Sequence, residues 1–136
     1  MEFAIVAMLL FTLLFGIIEF GLLIKDYLTL NQAAREGARS AALRADVPSV
    51  RDKVRASAAG FTPEQSDQIT VVPSYRVYDP DTGIWSAWNP GLPSSTANAE
   101  IQVRVKATYA HQLIAGSFFG LGDTATVSGD MVMRRE

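Results

Sequence analysis

Two hydrophobicity patterns divide the chain. From Phe3 to Ile24 the only charged residue is Glu19, whereas the remaining residues mix apolar and polar positions. At about 1.5 Å per residue, 22 helical residues extend roughly 33 Å, enough to cross the hydrocarbon core of a bilayer. A secretory signal has a shorter apolar stretch, basic residues before it and a small-residue cleavage site after it. Here no Lys or Arg stands before the run, and Lys25-Asp26-Tyr27 follows it. Tyr27 to Leu43 contains no proline and is rich in alanine. Leu28, Leu30, Ala34, Ala38, Ala41 and Ala42 recur at spacings that keep one small apolar stripe on a helix. Asp46 or Val47-Pro48 is expected to stop it, because the residue before a proline disfavours helical geometry. The pattern predicts one long helix over residues 1–45, too long for a head of residues 46–136 to bury. Part of it must therefore face lipid or other subunits.

The head reads as a mixed segment. Val50, Val54 and Ala58 predict a short second helix from Pro48 to Gly60, with Asp46 or Ser49 as its cap. Gln68–Tyr78 alternates as a strand does, with Pro73 pointing to an edge or a bulge. Asp79-Pro80-Asp81-Thr82-Gly83 is a turn signal, and Ile84–Trp88 a short returning strand. A Pro/Gly/Ser-rich loop to Asn98 comes next. Ala99–Tyr109 places Ile101, Val103, Val105 and Ala107 on one face and Glu100, Gln102, Arg104 and Lys106 on the other. The apolar stretch His111–Leu121 suggests a short helix or docking loop, and Ala125–Met133 a last strand. The expected class is α+β: a long N-terminal helix, a short second helix and a small antiparallel sheet of three to four strands.

Charge and composition remove several function classes. A net charge of −2 argues against nucleic acid as the main partner, since phosphate binding needs a basic surface. The chain lacks cysteine and has one histidine, His111. A base needs a positioned partner, so His111 is expected to be structural, with no enzyme, metal or cofactor site. Asp79, Asp81 and Thr82 lack the spacing and terminal bidentate glutamate of an EF-hand loop, which leaves a turn as the simpler account. Trp85 and Trp88 have two readings: an adhesive surface for a sugar or another apolar ligand, or hairpin packing on the head. Residues 25–60 carry +3 and residues 61–136 carry −3. Basic residues after a span favour the cytoplasmic side, but long domains translocate largely regardless of charge. A head-out topology is the expectation, with Arg35, Arg39 and Arg44 available to acidic heads of neighbouring subunits.

Two carboxylates sit in the apolar helix. Glu2 either complements the helix dipole as a terminal acid or pairs with a free α-amino group of its own or a neighbouring chain. Glu19 either snorkels towards the Lys25 end or makes a polar contact to another helix. Gly16 and Gly21 would permit close helix approach or local loosening, although their spacing of five is not the small-xxx-small one.

Met1-Glu2-Phe3-Ala4-Ile5-Val6, Phe15-Gly16-Ile17-Ile18-Glu19-Phe20-Gly21 and Asn31-Gln32-Ala33-Ala34-Arg35-Glu36-Gly37-Ala38-Arg39 resemble the TadE-like family of type IV pilin-related proteins. That family shows a V-E-F-A start, an apolar run ending near E-F-G, and an A-A-R-E-G-A-R block after it. Met131–Glu136 is similar to its C-terminal end. The likeness is specific over the first 45 residues or so and weak through the middle. It implies a structural subunit of a tight-adherence (Tad) type pilus or related secretion system, with helices bundled in the filament core. The implied partners are other copies of the chain, a prepilin peptidase, and an assembly ATPase with its platform. The implied location is the bacterial cytoplasmic membrane, then an extracellular pilus. Precursors of this kind carry a short basic leader ending in Gly; here the matching glutamate is Glu2, nearer the first residue than is usual. Met1, Glu2, Phe3, Gly16, Glu19, Gly21, Arg35 and Arg39 are the candidate assembly residues. A tip-located minor pilin and a single-span anchored binding domain are the alternatives.

Overall fold

The computed structural model describes residues 2–94, 99–114, 116, 120 and 122–135, and of Glu2 the backbone alone. Helix α1 runs unbroken from Glu2 to Ala42, and at about 1.5 Å per residue is roughly 60 Å long. It ends before the proline expected to stop it. The Arg44 N–H donates to the Ala41 carbonyl and the Ala45 N–H to the Ser40 carbonyl, with Arg44 at φ 68°. That is a Schellman ending in which an arginine occupies the left-handed position usually held by glycine. Helix α2, Val47–Ser57, follows with Asp46 at its N-cap. It stops at Ala58 rather than at Gly60. A one-turn helix, α3 (Pro63–Asp67), was not among the expected elements. Thr62 and Gln65 close a reciprocal capping box around it, with Pro63 in its first turn.

The sheet is antiparallel, with strands β1 (Thr70–Asp79), β2 (Ile84–Trp85), β3 (Asn89–Pro90), β4 (Ile101–Gln112) and β5 (Thr124–Arg134). Its order is β2-β1-β4-β5, and β3 also pairs with β1. Two short pieces therefore replace the single returning strand, making five strands rather than three to four. Pro73 fits β1 because its outer edge there meets only β3: Pro73 accepts a bond from the Gly91 N–H on the side where its own donor is missing. On β4 the expected alternation holds and extends further. Ile101, Val103, Val105, Ala107, Tyr109 and His111 are all buried on one face.

That face packs on the second half of α1. Leu30, Ala33, Ala34, Ala38 and Ala41 are buried against Val50 and Val54 of α2 and Val103 and Val105 of β4. Leu28, placed on the stripe by spacing, is instead 55% exposed. Alanines bring the layers close, and two glycines bring them closer. A Cβ at Gly37 would collide with Val54 and stand 3.3 Å from Val105. One at Gly129 of β5 would stand 2.5 Å from the Leu30 carbonyl. At these positions the missing side chain is what lets helix and sheet touch.

Candidate functional site: the exposed helix and its junction with the head

The first half of α1 leaves the head behind. Phe3, Ile5, Leu9, Leu13, Ile17 and Phe20 are all more than 60% exposed, and no residue in the apolar window of the helix is buried by the described chain. In length and composition it is sufficient to cross a membrane. Among the described residues, nothing beyond the local backbone of α1 comes within 4 Å of where a Cβ would be at Gly16 or Gly21, so both leave an open flank. Met1 and the Glu2 side chain lie outside the described residues. Arg35 and Arg39 are exposed on the head-bearing half of α1, and Arg39 borders a shallow cleft with Glu36, Ser40, Leu43 and Lys53.

Glu19 is not on an open flank. It and Asp26, two turns further along α1, meet His111 at the end of β4. The Asp26 Oδ2 lies 2.6 Å from His111 Nδ1, and the Glu19 Oε1 lies 3.5 Å from Nε2. Both Glu19 oxygens also accept from the Ile114 N–H, at 3.1 and 2.9 Å. Asp26 is 4% exposed and His111 9%. Lys25 adds a positive charge 3.9 Å from the second Asp26 oxygen. An isolated buried carboxylate is costly, so a ring nitrogen and a backbone amide presented to this pair are what make it tolerable there. Glu19 thus contacts the end of β4 in its own head, a partner that neither expected reading named. The helical spacing of seven between Glu19 and Asp26 was the sequence signal for a shared face. Asp26 was not singled out, because its partner lies 85 residues away.

On the sheet's opposite face, Trp85 and Trp88 fold over arginines. The Arg76 guanidinium carbon lies 4.9 Å from the Trp85 ring centroid and 4.7 Å from that of Trp88. That of Arg104 is 5.6 Å from Trp88. Arg76 donates from Nε and Nη2 to the Gln102 side chain, and Arg104 grips the Asp130 carboxylate. These contacts hold both rings against the polar face of the sheet. Asp79 is engaged by its own turn: Oδ1 accepts from the Asp81 N–H and Oδ2 from the Thr82 hydroxyl, which with burial opposing holds its carboxyl below the usual value. Much of the stretch read as a short helix or docking loop, namely residues 115, 117–119 and 121, lies outside the described residues, while His111 and Gln112 belong to β4.

The structure thus joins a bare apolar helix half to a head-bearing half without a break. Residues 1–39 match the family model described as TadE-like protein, and the resemblance read from the sequence holds over that segment. The match covers most of α1 and stops before the head. Neither a curated protein nor a solved structure matched the chain.

Proposed function

We propose that this chain is a structural, non-catalytic subunit that polymerises through α1 into an extracellular Tad-type filament. The observation that supports the reading is the division of one continuous helix. Its second half is covered by its own sheet, and its first half, apart from Glu19, exposes mostly apolar side chains. A surface of that size needs lipid or protein around it. Before assembly, α1 spans the bilayer with the head outside. During assembly, an ATP-driven machine draws the subunit out, and neighbouring helices replace lipid. Glu2 neutralises an α-amino group as the subunit docks, which sets register because an unpaired charge in an apolar core is costly. Arg35 and Arg39 then face acidic heads of adjacent copies. Head-to-tail contacts that do not close on themselves generate filaments.

Glu2→Ala tests the reading. The variant is expected to accumulate in the membrane and to be lost from sheared extracellular fibres. Normal fibre yield from the variant, or absence of the wild-type chain from purified fibres, would refute it. Trace rather than bulk abundance in those fibres would point to a minor, tip-located subunit.

A further inference from the structure

The β4–β5 hairpin runs down the helix towards the apolar half. Val105 sits beside Gly37, His111 beside Asp26, and Ile114 beside Glu19. The spacing is self-consistent. Three extended residues from His111 to Ile114 advance about 10 Å, and seven helical residues from Asp26 to Glu19 retreat about 10 Å. The hairpin pairing continues to the Leu113 N–H, which donates to the Asp123 carbonyl. Its tip therefore reaches Glu19, five residues inside the apolar run that closes at Ile24. At about 1.5 Å per residue, that is roughly 7 Å below the polar end of the run.

We infer that Leu113 and Ile114, just beyond the end of β4, form a second membrane contact seated in the headgroup–acyl boundary of the outer leaflet. The inference rests on the proposed reading that α1 spans a bilayer before assembly. Three observations choose lipid as the occupant. Ile114 is 63% exposed and is bonded through its N–H to Glu19, on a stretch of α1 where Ile17 and Phe20 are 63% and 67% exposed, so it adds apolar surface at the level of the span. Among the described residues of the tip, Leu113, Ile114, Gly116, Gly120 and Gly122, none is charged. The acid at that depth is provided for: Glu19 accepts the Ile114 N–H and faces His111, so the carboxylate is partnered by the same hairpin that reaches it. A depth of about 5–10 Å is where apolar faces of interfacial segments settle. The head would then stand on the membrane at two points, helix and hairpin, with its orientation fixed.

The absence of cysteine makes single-site labelling direct. Full-length Ile114→Cys, Leu10→Cys and Val132→Cys, each carrying an environment-sensitive nitrobenzoxadiazole label, would be reconstituted in phosphatidylcholine/phosphatidylglycerol vesicles. Lipids brominated at shallow or deep acyl positions would serve as quenchers. The label at 114 is expected to be quenched about twofold or more by shallow bromines, as fits an interfacial depth. Position 10 should be quenched by deep bromines, and position 132 by neither. Quenching at 10 with a water-like, unquenched 114 would overturn the inference and leave the spanning helix intact. A blue-shifted but unquenched 114 would assign the tip to another copy of the chain and also overturn it. Loss of quenching at both 10 and 114 would remove the spanning helix and the inference together.

Discussion

His111→Leu is the perturbation that bears most directly on the helix–head junction. It preserves bulk and removes both ring nitrogens from two carboxylates. Asp26, 4% exposed, would keep only Lys25 at 3.9 Å, and Lys25 is itself half exposed. Removing one partner of a buried pair costs about 3–5 kcal/mol, because the survivor is left buried and uncompensated. The nearby lysine argues for the lower end, about 3 kcal/mol. Asp26→Leu leaves His111 facing Glu19, so about 1–2 kcal/mol, the worth of one hydrogen bond, is expected. The double variant has neither orphan and should lie within about 1 kcal/mol of the sum of its packing changes, since apolar replacement of a buried pair is often neutral. The cycle thus carries a coupling of about 2 kcal/mol or more, well outside the roughly 0.5 kcal/mol expected of independent sites. Urea unfolding in one fixed detergent, followed by near-ultraviolet circular dichroism of Trp85 and Trp88, would measure it. A coupling below about 0.5 kcal/mol would refute the view that the imidazole partners the carboxylate.

Other perturbations separate effects of opposite sign. Gly37→Ala gains about 1 kcal/mol of helix propensity but drives a methyl into Val54 and against Val105, an overpacking cost of about 1–3 kcal/mol. Net destabilisation is expected, with partial recovery in Gly37→Ala/Val54→Ala; a single variant as stable as the wild type would show that propensity wins. Arg104, bonded to Asp130, holds that carboxyl below its ordinary value of 3.8. The native state therefore favours the ionised form, and its contribution is present above the unfolded value and lost as pH falls through the lower folded one. Because both side chains are about a third exposed, the effect is about 0.5–1 kcal/mol. Asp130→Asn should lower the urea midpoint at neutral pH and flatten its decline below pH 3.8; an unchanged acid slope would remove the pair from that account.

The sequence made the backbone plan legible where one period dominated. The apolar run of α1 settles the element, and the alternation of β4 settles both the element and the face it buries, because a single-residue slip would reverse that face. Local chemistry was harder to see. Arg44 ends α1 in a conformation that its side chain does not advertise, and Thr62-Pro63-Glu64-Gln65 is a capping box only one turn long. At the junction, Glu19 and His111 were each visible as unusual residues. Asp26 was concealed by Lys25 and by its place at the end of the span, where an acid excites little notice. No local rule joins position 26 to position 111. Only the antiparallel descent of β4 along α1 does so.

That descent has a mechanical side. Gly129 lies on the backbone of Leu30 and Gly37 beneath Val54 and Val105, so helix and sheet are joined along several turns and not through a flexible stalk. A pull along α1 runs parallel to β4 and β5. It loads their contacts in shear, many at once, instead of peeling them apart singly. The head and the helix would then move as one stiff lever, and whatever draws on the helix turns the head with it.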